Sequence, residues 1–143
     1  MRRRLLGALI VALTCGPAQA GDTVQPIRFP AGKSSATIHA GLVRGTADVY
    51  AITARQGHTA DILVKSLEDN ASLLIYKPPA KPVTGQDGLD IDGPVLPGGD
   101  TAPGLDEGAT RHWHGALPDS GTYYIVVSGD RGNATYDLTV LIR

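Results

Sequence analysis

The chain has 143 residues, of which 42% are hydrophobic, 19% charged and 5% aromatic, and its formal net charge is −1. This balance suits one globular domain and excludes a disordered chain, a pair of ordinary domains or a large catalytic barrel. No strongly basic surface marks a nucleic-acid binder, and neither a Walker loop nor a Gly-x-Gly-x-x-Gly turn offers a cofactor site.

The chain opens on Arg2, Arg3 and Arg4, followed by an apolar run from Leu5 to Leu13 broken only by Gly7. Ala18-Gln19-Ala20 then gives the small-x-small pattern that signal peptidase cuts after. These are the three parts of a secretory signal. Residues 1–20 are therefore expected to be removed, leaving 21–143 as one periplasmic or secreted domain. The leading apolar run is too short for a bilayer, and no run in the body reaches the ~20 residues of a span. Cys15 is the only cysteine, and Ala12-Leu13-Thr14 before it makes a poor lipoprotein site. An exported chain starting at Gly21 thus has no disulfide. Loss of the three arginines leaves ten Lys and Arg against fourteen Asp and Glu, a net charge of −4. A chain this long buries roughly 65% of its unfolded surface, enough for a stable core without staples.

The body reads as short strands and turns. Residues 24–29 form an extended run interrupted by Pro26, which suits an edge strand. Segment 36–42 alternates, with Ile38, Ala40 and Leu42 on one face; 49–54 puts Tyr50 and Ile52 together; 60–65 puts Ala60, Ile62 and Val64 together. A short apolar run spans 72–76, and 112–117 is a further candidate. Segment 122–128 is dense in β-formers, with Tyr124 and Val126 expected to face the core. Segment 135–142 places Tyr136, Leu138, Val140 and Ile142 on one face. Gly-containing breaks at 44–46, 55–57, 118–121 and 129–133 supply turn chemistry. The pattern predicts an all-β fold: a single antiparallel β-sandwich, jelly-roll-like, of seven to eight strands.

One segment breaks the rhythm. Residues 77–109 hold six of the ten prolines, seven of the eighteen glycines, and six acids against Lys77 and Lys81. This predicts one long acidic Pro/Gly-rich loop. Within it, Leu89 and Ile91 look like an apolar clip onto the sandwich. Asp87, Asp90 and Asp92 are spaced unlike a calcium-binding EF-hand loop.

Few residues carry chemistry. His112 and His114 flank Trp113, and on a strand both imidazoles share a face, which supplies two of the three or four ligands of a transition-metal site. The plainer alternative leaves both histidines in solvent with Trp113 anchoring the core. None of the serines sits in a nucleophile elbow, so no catalytic residue is assigned and no cofactor is expected. Trp113, Tyr76 and Tyr123 are candidates for stacking on sugars.

Two segments resemble a known family. They are Phe29-x-x-Gly32-x-Ser34-Ser35-Ala36 and Leu117-Pro118-x-Ser120-Gly121-x-Tyr123, the latter leading into a final Tyr136-x-Leu138-x-Val140 strand. Gly45, Tyr50 and Ala54-Arg55-Gln56-Gly57 fit between them. Together they resemble the bacterial periplasmic inhibitors of g-type lysozyme, and the C-terminal part is similar also to pre-peptidase C-terminal β-sandwich domains. The resemblance implies a non-catalytic protein that occludes a lysozyme cleft with a loop. On this reading Arg131, Asp130 and Tyr123 are the expected contacts, and the net charge of −4 with its acidic loop makes Asp87, Asp90 and Asp92 steering charges for a cationic lysozyme. The alternative is a module binding carbohydrate or cell-wall polymer. Mass spectrometry of the exported protein is expected to find Gly21 at the N-terminus; a lipidated Cys15 there would overturn the assigned address.

Overall fold

The computed structural model describes residues 23–143, so the expected signal, 1–20, lies outside the described residues. Ten strands follow in order: β1 (Val24–Pro26), β2 (Ser35–Leu42), β3 (Ala47–Ala54), β4 (Thr59–Ser66), β5 (Ala71–Tyr76), β6 (Lys81–Gly85), β7 (Gly88–Asp92), β8 (His112–Ala116), β9 (Gly121–Gly129) and β10 (Ala134–Ile142). There is no helix among the described residues. One four-stranded sheet runs β1-β3-β9-β5 and the other β2-β10-β4-β8; β6 and β7 form a separate hairpin. The sheets pack as a β-sandwich with their apolar faces inward. Pairing is antiparallel except for β1, which lies parallel to β3.

The inner faces follow the strand period of two. Ala60, Ile62 and Val64 of β4 meet the core alongside Tyr136, Leu138, Val140 and Ile142 of β10, as their alternation predicts. Tyr50 and Ile52 do the same from the opposite sheet. On β9 the expected face is reversed: Tyr123, Ile125 and Val127 are buried, while Tyr124 and Val126 are only half-buried on the outer face. The outward set also includes Thr122 and Ser128, whereas the inward set over the same span is wholly Tyr, Ile and Val. The inward set places the Tyr123 hydroxyl where it donates to the Asp119 carbonyl (2.7 Å) and accepts from the Asp119 N–H (3.1 Å).

The acidic segment is not one loop. The β6–β7 hairpin occupies 81–92, and the chain then returns along the free edge of β5. Leu96 donates to Ile75 (2.7 Å), and Leu73 and Thr110 exchange a pair of backbone bonds (2.8 and 2.9 Å). Of the expected clip, Ile91 is buried but Leu89 is only half-buried; Leu96, unexpected from the sequence, is the residue of this segment that joins the core. Gly121, at φ 142°, sits against Pro78: an added Cβ would lie 2.9 Å from the Pro78 ring, which only glycine avoids.

A buried polar chain links the sheets. Tyr136 donates to the Asp48 carboxylate (2.5 Å) and accepts from the Tyr50 hydroxyl (2.6 Å). Burial, and then the bonds to Asp48 and Tyr50, hold the Tyr136 phenol far above its ordinary range; burial likewise raises Tyr50. A folded-state phenol held above its unfolded value of about 10 keeps its proton after the unfolded chain has lost it. This contribution is intact below that pH and lost as pH rises beyond it.

Two outcomes follow from this packing. Val127→Ala is expected to cost about 1–2 kcal/mol in denaturant unfolding, with Val126→Ala costing less than half of that. Tyr136→Phe strips the buried carboxylate of its donor and is expected to cost about 1–3 kcal/mol at neutral pH, and to flatten the loss of stability above pH ~10.

Candidate binding surface at the turn end

Three connections between the sheets meet at one end of the sandwich: β2–β3 (43–46), β4–β5 (67–70) and β9–β10 (130–133). Asn70 fastens two of them. Its Oδ1 accepts from the Arg131 N–H (2.6 Å), and its Nδ2 donates to the carbonyls of Asn133 (2.9 Å) and Arg131 (3.3 Å). The Asn70 carbonyl also accepts from the Asp130 N–H (2.9 Å). The third turn joins through Asn133, whose Oδ1 accepts from the Arg44 N–H (2.8 Å). Within the β4–β5 turn, the Ser66 Oγ accepts from the N–H groups of Asn70 (2.6 Å) and Ala71 (3.1 Å).

Arg111, just before β8, adds a brace. Its guanidinium donates to the Asp130 carboxylate (3.1 Å), the Asp69 carbonyl (2.9 Å) and the Ala71 carbonyl (3.3 Å). Ser72 donates to the other Asp130 oxygen (2.6 Å). Asp130 is thus committed on both oxygens and its side chain is only 15% exposed. Its place is inside the scaffold that holds the turn.

Arg131 is different. Its backbone is pinned by Asn70, but its side chain is exposed, and among the described residues its guanidinium makes no ion pair. It stands between two open depressions. One, of about 510 Å³, is shared with Arg44, Gly45 and residues 129–132. The other, of about 450 Å³, is walled by Pro103, Gly104, Leu105 and Arg111. Val43 is 63% exposed and Leu67 91% exposed on the same end. Arg44 likewise makes no ion pair among the described residues, so the surface combines two cations with two apolar side chains on a fixed backbone. Of these residues only Arg131 is expected from the sequence as a contact; Arg44, Asn70 and Arg111 carry no local signal that would mark them.

The remaining candidates lie elsewhere. Tyr123 is a core residue at 1% exposure and offers a partner no surface. Burial raises its phenol despite the bond to Asp119. Asp87, Asp90 and Asp92 belong to the hairpin, whose base adjoins Gly121 and Tyr124, at the far end of β9 from Arg131. The Asp90 carboxylate accepts from the Ile91 N–H (2.8 Å), and Asp92 lies opposite Lys81. The contacts and the steering charges expected from sequence therefore do not form one surface.

His112 and His114 point outward from β8 onto Asp61 of β4. His112 Nε2 and His114 Nδ1 each lie 3.1 Å from an Asp61 oxygen, and His112 Nδ1 lies 3.3 Å from Asp100. Among the described residues no three ligand-type side chains are disposed to hold a metal ion. Trp113 is buried, its indole donating to the Pro97 carbonyl (3.0 Å). Tyr76 is half-buried, so Trp113, Tyr76 and Tyr123 make no exposed stacking platform.

The motifs that carry the family resemblance build turns and core. Pro30 and Lys33 close the arch into β2 (2.9 Å), Ser120 Oγ accepts from the Gln56 N–H (2.8 Å), and Tyr50 and Tyr123 are buried. Comparison with solved structures agrees. The periplasmic inhibitor of g-type lysozyme from Aeromonas hydrophila is similar over 87% of this chain and 100% of its own, with 24% identity and a TM-score of 0.61. A mutant of the Escherichia coli inhibitor is similar over the same shares, with 21% identity and a TM-score of 0.58. The pre-peptidase C-terminal domain of Bacillus anthracis collagenase covers 86% of this chain and 99% of its own, with 19% identity and a TM-score of 0.50. The chain shares their fold. No protein-family model matches it, and no curated protein matches it in sequence. No helix among the described residues is long and apolar enough to cross a membrane.

Asn70→Ala is expected to destabilise the protein by about 1–3 kcal/mol, since it removes three part-buried hydrogen bonds to the backbone of Arg131 and Asn133. Amide exchange at 130–133 should accelerate more than exchange in β10. Equal acceleration throughout would show that Asn70 does not fasten the turns.

Proposed function

We propose that this is an exported, non-catalytic protein that inhibits a g-type lysozyme by seating its turn end in the enzyme's cleft. The observation that carries the reading is the stapled turn end, with Arg44 and Arg131 unpaired beside Val43 and Leu67. Glycosidase clefts hold a pair of carboxylates, and a guanidinium presented from a fixed backbone is a fitting partner for one of them. Occlusion needs rigidity more than chemistry, because a turn already held in shape loses little freedom on binding. The fold shared with inhibitors of g-type lysozyme supports this choice of partner over a polysaccharide, as does the burial of Trp113 and Tyr123.

In this reading Arg131 is the central contact and Arg44 its neighbour, while Asp130 acts by holding the turn. Asp87, Asp90 and Asp92 contribute only through the long-range field of an anionic protein meeting a cationic enzyme. The expected result is stoichiometric inhibition of purified g-type lysozyme. Arg131→Ala should speed release by about tenfold, the loss expected for one charge-assisted hydrogen bond. Neutralising the three hairpin acids should slow association without changing release. That association should also weaken between 0.1 M and 1 M salt, as the Debye length falls from ~10 Å to ~3 Å. No inhibition at large molar excess would remove this function.

A further inference from the structure

Each sheet of the sandwich has two edges, and three of the four are short or covered. β1 is three residues long and ends on Pro26. The β5 edge is bridged by residues around Val95 and Thr110. β8 is five residues long and its His112 carbonyl accepts from the Asp100 N–H (2.8 Å). The fourth edge, β2, is eight residues long and carries no Lys, Arg, Asp, Glu or Pro. Those are the residues with which proteins ordinarily guard an edge.

The register fixes which groups β2 leaves open. Ile142 donates to the Ser34 carbonyl, so in this antiparallel pair the even-numbered residues of β2 bond to β10. Ser35, Thr37, His39 and Gly41 therefore direct their N–H and C=O groups away from the sheet. None of these backbone groups is hydrogen-bonded within the described residues. On the inner face, Ile38 and Ala40 pack against the core but stay only partly buried, and Ala36 is likewise half-buried.

We propose that β2 is a self-association edge, pairing antiparallel with β2 of a second copy about a two-fold axis at Ile38. The strand is self-complementary about that point. Its outward groups fall symmetrically at 35, 37, 39 and 41, so Thr37 of one copy meets His39 of the other, and Ser35 meets Gly41. The inner face reads Ala36, Ile38, Ala40 in both directions, so Ile38 packs on Ile38 and each alanine on the other. With no formally charged residue on the strand, two copies approach without repulsion at the seam. Such a contact is isologous, and it joins the two β2-containing sheets into one of eight strands. It runs along the side of the sandwich and leaves both turn ends open, so it is independent of lysozyme binding.

Sedimentation equilibrium of the exported chain over a wide concentration range tests this. The expected mass rises from monomer to dimer. Thr37→Pro removes an N–H that the monomer does not use, and both copies lose it, so dimerisation should weaken by about tenfold or more with the melting temperature little changed. If Thr37→Pro fails to fold, His39→Lys decides, because it sets like charges diagonally across the seam and should also favour the monomer. A monomer at every concentration overturns the proposal. So does a dimer that persists in a folded variant.

Discussion

A carboxylate buried at the start of β3 sets the terms for the rest of the sandwich. Asp48 is 3% exposed, and a carboxylate so placed must find donors or lose more than its neighbours can return. Tyr136 supplies a donor from the opposite sheet, and Tyr50 completes the chain. A one-residue slip of β10 would carry Tyr136 to the outer face and strand Asp48. The contact therefore fixes the spacing of the sheets and the register of two central strands. Asp48 lies two residues past the β2–β3 turn, and Tyr136 three residues past the β9–β10 turn. Fixing these strands brings both turns to the same level.

The turn end builds on that alignment. Once the turns are level, one asparagine reaches across both β9–β10 carbonyls, and Arg111 braces Asp130 from behind. The result is a surface whose backbone is determined before any partner arrives. Asp130 and Arg131 are neighbours with opposite assignments: one is spent on the scaffold, the other is held out by it. This division of labour is why the proposed function rests on Arg131 and Arg44 rather than on the acidic hairpin.

Much of the architecture was legible because buried strands with one wet face must alternate. β4 and β10 declare their inner faces directly. β9 is less plain, because Tyr and Val occur on both faces; Thr122 and Ser128 on the outer face and the Asp119 partner of Tyr123 on the inner one distinguish them. The β6–β7 hairpin escaped notice for the opposite reason: every residue of β6 is exposed, and Pro82 argues against a strand. The site was the least legible part. Asn70 lies 61 residues from Arg131, and nothing local marks an asparagine in a turn as a clamp between two loops. The family motifs could not reveal it either, since they encode turns and core that differently employed sandwiches share.

In the proposed complex the turn end, and not the hairpin, meets the partner. Amide hydrogen exchange of the protein alone and with g-type lysozyme tests this directly. Added protection is expected at 43–46, 67–70 and 130–133, with 81–92 unchanged. Protection confined to the hairpin, or no change anywhere at saturating enzyme, would contradict it.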